Sequence, residues 1–76
     1  MAKEIKPKEI VKALQKLGFY KLHQKGSHLR LAHSDGRKIT IAMHNKPISK
    51  GTLSAILRQA RITRENLNNI IKFRFR

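Results

Sequence analysis

The first pattern along the chain has helical period. Ile10, Leu14 and Leu17 fall at i, i+4 and i+7, Val11 widens the stripe, and Lys8, Lys12, Gln15 and Lys16 take the other side. Pro7 fits the first turn of such a helix, where its missing N–H costs nothing, and Gly18 suits the residue just past its end. The period then drops to two. Phe19 to Gln24 reads as a strand, Lys25-Gly26 turns the chain into a second alternating run ending at Leu31, and Ser34-Asp35-Gly36-Arg37 turns it into a third, Lys38 to Ala42. Asp-Gly between alternating runs is a strong hairpin signal. Leu29 and Leu31 share one side of the middle strand, and Ile39 and Ile41 must point to the same core. His28, Arg30 and Ala32, with Lys38, Thr40 and Ala42 of the third strand, are thereby predicted to face away from it. That second face is polar and positively charged.

After Ala42 comes a connection, Met43 to Gly51, whose Pro47 and Gly51 argue against regular structure through most of it. Ser49 or Thr52 can cap the next helix, with Leu53, Ile56, Leu57 and Ala60 as its apolar face and Ile62 continuing the packing. Thr63 is an N-cap candidate for a short last helix carrying Leu67, Ile70 and Ile71. Lys72 to Arg76 alternate basic and aromatic residues and read as a tail. Helices with one apolar stripe and a meander with one apolar face bury those surfaces together. The expected fold is α+β, an α-β-β-β-α layout like that of double-stranded-RNA-binding domains. It has a three-stranded antiparallel sheet, helices packed on one face and a short extra C-terminal helix. Residues 1–76 read as one domain, with its core over about 6–71.

Charge changes the picture more than composition does. The chain has 76 residues with 18 Lys and Arg against 4 Asp and Glu, a formal net charge of +14. Self-repulsion on that scale destabilises a compact state unless a polyanion or an acidic partner relieves it. There is no cysteine, hence no disulfide framework and no thiolate metal site. No apolar run reaches the ~20 residues of a membrane span, and Met1 to Lys6 lack the apolar stretch of a secretory signal. The expected compartment is therefore the cytoplasm, with no membrane partner. The acidic residues Glu4, Glu9, Asp35 and Glu65 are scattered. They assemble neither the carboxylate cluster of a two-metal nuclease nor the facing pair of a glycosidase. Any chemistry must run on histidine, lysine and arginine, with no cofactor and no metal.

The run Lys-Gly-Ser-His-Leu-Arg-Leu at 25–31, the turn Ser-Asp-Gly-Arg-Lys-Ile-Thr-Ile at 34–41, His44-Asn45, and the segment from Lys50 to Thr63 resemble the HicA toxins of bacterial toxin–antitoxin pairs. The resemblance covers roughly residues 6 to 71. Its most specific parts are the Gly-Ser-His triplet and the Gly-Thr-Leu entry to the second main helix. It implies an mRNA interferase with a double-stranded-RNA-binding-like fold, a catalytic histidine at position 28, and an antitoxin, HicB, that binds the toxin and blocks it.

RNA cleavage by its own ribose 2′-hydroxyl needs a base, an acid and cations around the phosphate, and histidine suits both proton roles near neutral pH. His28 is the candidate catalytic group. Lys25, Arg30 and Lys38 are cations from the same region, and His44 is an auxiliary acid, an RNA contact, or simply a loop histidine. Lys46 and Lys50 flank a helix start that can hold phosphate; the plainer reading is a solvated lysine pair. His23, His28 and His33 recur at regular spacing, yet in paired strands they are expected to point to different sides, leaving His23 and His33 as structural or surface residues. A non-catalytic RNA-binding module is the alternative reading, and a basic subunit serving an acidic protein is a third. Loss of His28 separates the first two, and salt-dependent RNA binding by the isolated chain counts against the third.

Overall fold

The computed structural model describes the backbone of residues 5–74 and the side chains of 5–71. Helix α1 spans Pro7–Lys16. Pro7 is its first residue, and the Glu9 carboxylate accepts the Lys6 backbone N–H at 3.0 Å, satisfying one of the free donors at the helix start. The helix stops in a Schellman arrangement. Gly18, at φ +102°, donates its N–H to the Gln15 carbonyl at 3.1 Å, and Phe19 donates to Leu14 at 3.0 Å. Only a residue without Cβ accepts that φ comfortably.

Strands β1 (Tyr20–Lys25), β2 (His28–Ala32) and β3 (Lys38–Ala42) form an antiparallel meander in the order β1-β2-β3. Gly26, at φ +61°, is the first of the two residues between β1 and β2, the place where a type II′ hairpin turn needs glycine. Gly36, at φ +100°, closes the β2–β3 turn, where its N–H reaches the His33 carbonyl at 2.9 Å. Helix α2 spans Lys50–Ala60 and α3 spans Arg64–Arg74.

Leu29, Leu31, Ile39 and Ile41 form the sheet's contribution to one buried cluster, joined by Ile10, Val11 and Leu14 of α1, Leu53, Ile56, Leu57 and Ala60 of α2, and Leu67 and Ile71 of α3. The helices thus share one face of the sheet, as the alternation predicts. Phe19, just outside β1, is buried with them. Met43 and Ile48 are half-buried against the cluster, so the β3–α2 connection is anchored from inside.

Three details differ from the sequence reading. Ser49 is the cap of α2, accepting the Thr52 N–H at 3.2 Å, so Gly51 lies inside the first helical turn instead of in the connection. Helix α3 runs for 11 residues, as long as α2, and takes in 72–74 of the expected tail; 75–76 lie outside the described residues. Ala32 is buried although its parity puts it on the open face. It is absent from the core cluster, and its ladder partners Tyr20 and Lys38 share its face.

Candidate functional site

Residues opposite one another in an antiparallel ladder share a face. The open face can therefore be read rung by rung: Lys25–His28–Ala42, then His23–Arg30–Thr40, then Tyr20–Ala32–Lys38. None of these residues is acidic. Among the described carboxylates, Glu9 sits at the start of α1, Asp35 in the β2–β3 turn and Glu65 at the start of α3. Every residue of β1 is exposed, including Leu22 and Tyr20 at 47% and 49%, because the helices cover the β2–β3 side and leave β1 as a free edge.

His28 opens β2 directly after the Gly26-Ser27 turn and is exposed, with Lys25 beside it across the ladder and Arg30 two residues on along the same strand. The rung is pinned from the other side, where Met43 donates its N–H to the Ser27 carbonyl at 2.6 Å. Lys38 shares the face but starts β3 at the far end, about 14 Å along the strands from His28 at ~3.4 Å per residue. It belongs to the same basic surface and not to the immediate surroundings of His28.

His44, Lys46 and Lys50 fall elsewhere. His44 and Lys46 line a cleft of about 210 Å³ between the end of β3 and the start of α2, with Ile41, Ile48 and Ile56 as apolar walls and Ser49 and Thr52 at the helix end. Lys50 is the exposed first residue of α2. Ala42 lines the cleft and also pairs with His28, so the cleft and the His28 rung meet at one corner of the molecule.

The two other histidines have opposite environments. His33 is half-buried and structural. Its Nε2 faces the Leu17 carbonyl at 3.2 Å, its Nδ1 accepts the Asp35 N–H at 3.2 Å, and its ring packs edge-on against Phe19 with centroids 5.0 Å apart. Nδ1 also stands 3.2 Å from the Asp35 carboxylate, so the ring is held from both of its nitrogens. The Arg37 guanidinium lies over the Phe19 ring, 4.9 Å from its centroid, and donates to the Ala60 carbonyl at the end of α2. Hydrogen bonds from Arg37 hold the Asp35 carboxyl below its ordinary range. This knot ties the β2–β3 turn to the ends of α1 and α2.

His23 corrects the sequence reading. A bulge lies between Lys21 and His23, with Leu22 as the extra residue, so His23 pairs with Arg30 and shares the face of His28. Strict alternation counted along β1 cannot register an inserted residue. The one available signal, Leu22 among polar neighbours on an edge strand, fits an ordinary exposed side chain equally well.

Among the described residues no group of three or more His, Asp or Glu gathers closely enough to hold a metal ion. No helix of the described residues is long and apolar enough to cross a membrane.

The fold and this face define a small basic α+β domain whose helices lie on one side of a three-stranded meander and whose other side offers imidazole, ammonium and guanidinium groups to solvent. Comparison with curated protein sequences returns no match. The family model described as HicA toxin of bacterial toxin-antitoxin matches residues 7–62, and the chain belongs to the HicA toxin family. It is therefore the toxin type of component in a pair whose other member is an antitoxin.

Proposed function

We propose that this chain is a metal-independent endoribonuclease, an mRNA interferase, that uses His28 to move a proton during cleavage. The observation that carries the reading is the exposure of His28 on a face whose described residues include no carboxylate, with Lys25 and Arg30 as its immediate cationic neighbours. A phosphodiester settling on that face meets positive charge on two sides and an imidazole within reach of its 2′-hydroxyl or its leaving oxygen. The substrate supplies the nucleophile. The scatter of the described acids over α1, the β2–β3 turn and α3 supports a mechanism run on imidazole and cations. Lys38, and Lys46 with Lys50 beside the cleft, extend phosphate contact beyond the scissile group and supply affinity in place of chemistry. His44 is the auxiliary candidate at the adjoining corner. The antitoxin is of the HicB type and covers the His28 face, meeting Lys25 and Arg30 with acidic groups and excluding RNA.

The test is His28→Ala on the purified chain. A loss of about 100-fold or more in cleavage rate, with RNA affinity and melting unchanged, is expected. Cleavage near the wild-type rate removes His28 from the mechanism, and unaltered binding by a wild-type chain that never cleaves leaves an RNA-binding module.

A further inference from the structure

Counted with strict alternation from the Tyr20–Ala32 pair, His23 would oppose Leu29 and point to the core side. The bulge at Leu22 turns it over instead. Bulges re-aim side chains and are over-represented beside active sites. The outcome is two adjacent rungs on one face, Lys25–His28 and His23–Arg30, with the imidazoles on one diagonal and the cations on the other. Diagonal neighbours on an antiparallel pair stand about 7–8 Å apart at the backbone. A phosphate over the centre of the four is then flanked by an imidazole on each side. All four residues are exposed, and among the described residues none of their side chains makes a hydrogen bond or ion pair.

Resting on the ribonuclease reading above, we infer that His23 is the second proton-transfer group of the reaction, working opposite His28. The neutral imidazole of the pair takes the proton of the ribose 2′-hydroxyl as that oxygen bonds to phosphorus. The P–O5′ bond breaks, and the protonated imidazole gives its proton to O5′. The products are a 2′,3′-cyclic phosphate and a free 5′-hydroxyl, and each ring ends in the protonation state from which the other began. Lys25 and Arg30 face the non-bridging oxygens on the remaining diagonal. His44 lies beyond β3, outside both rungs.

The experiment compares wild type, His23→Ala, His23→Gln and His28→Ala on a defined RNA across pH. A matched RNA whose scissile O5′ is replaced by sulfur runs in parallel, because that leaving group needs no proton. Both positions should lose about 100-fold or more on the oxygen substrate, and the two-limbed pH–rate profile should collapse to one limb. Either the His23 variants or His28→Ala, and not both, should recover most of its rate on the sulfur substrate, which names the acid. Melting and RNA titration should stay at wild-type values for both His23 variants, as an exposed, unpartnered ring predicts. His23 variants that cleave at the wild-type rate with both limbs intact, while His28→Ala is inactive, overturn the inference and leave the ribonuclease reading standing. The inference also falls if neither position recovers on sulfur, or if the His23 variants lose RNA affinity in proportion to rate. A wild-type chain that cleaves neither RNA refutes the ribonuclease reading itself, and this inference with it.

Discussion

His28 opens β2 and His33 directly follows its last residue, five positions on, and truncating them should have opposite consequences. In His33→Ala the Leu17 carbonyl loses its donor at 3.2 Å, the Asp35 N–H loses its acceptor at 3.2 Å, and Phe19 loses an edge-on ring at 5.0 Å. With about 1 kcal/mol for each hydrogen bond and about 0.5–1.5 kcal/mol for the ring pair, the loss is about 2.5–3.5 kcal/mol. In a domain of this size, at about 4–8 °C per kcal/mol, that lowers Tm by roughly 10–28 °C. Activity per folded molecule should not change, because Ala32, the neighbour of His33, is already about 14 Å from His28 along the strand. His28→Ala removes an exposed ring that touches no described polar partner, so its stability should stay within about 0.5 kcal/mol of wild type. Urea melts of both variants, with cleavage measured well below their midpoints, make the comparison. A His33→Ala protein as stable as wild type refutes the knot between α1, Phe19 and the β2–β3 turn. A His28→Ala protein as damaged as His33→Ala refutes the open-face reading.

Arg30→Ala should weaken RNA binding and reduce the slope of log K against log salt by roughly 0.7 for a single-stranded RNA, since one phosphate contact is lost; an unchanged slope in a salt titration places Arg30 outside the binding surface. Asp35→Asn should lower Tm at neutral pH. The Asp35 carboxyl is held below its ordinary range by Arg37, so its contribution is present above the unfolded-state value and lost as pH falls through the lower folded value. Wild-type and variant melting temperatures should therefore converge in strong acid, and a gap that persists there shows that the interaction with Arg37 does not depend on the charge.

The course of the chain is legible in its residues where one physical rule acts alone. Ile10, Leu14 and Leu17 mark α1, and Pro7 and Gly18 bound it, because helical period and end chemistry agree. The alternation of Leu29, Leu31, Ile39 and Ile41 separates the core face from the open one, and thereby places His28 and Arg30. Elsewhere two rules compete. At Ser49 and Thr52 both side chains can cap, and the choice of Ser49 brings Gly51 into α2 despite its low helix propensity. In β1 the local pattern carries no mark of its bulge, which depends on how an edge strand fits its neighbour, and so the face of His23 is not readable from spacing. Ala32 shows the same limit. Parity gives its face but not its burial, and its ladder partners Tyr20 and Lys38 are visible only in the register.

The proposed mechanism has RNA cleaved through imidazole chemistry on a basic sheet face whose described residues include no carboxylate. The most direct measurement incubates the purified chain with a defined mRNA in excess EDTA and maps the chemistry of the new ends. Cleavage that persists and leaves 2′,3′-cyclic phosphates with free 5′-hydroxyls is the predicted result, because in the proposed mechanism the 2′-hydroxyl is the nucleophile and the histidines carry the protons. Cleavage that stops in EDTA and returns with magnesium, or that leaves 5′-phosphates, contradicts it.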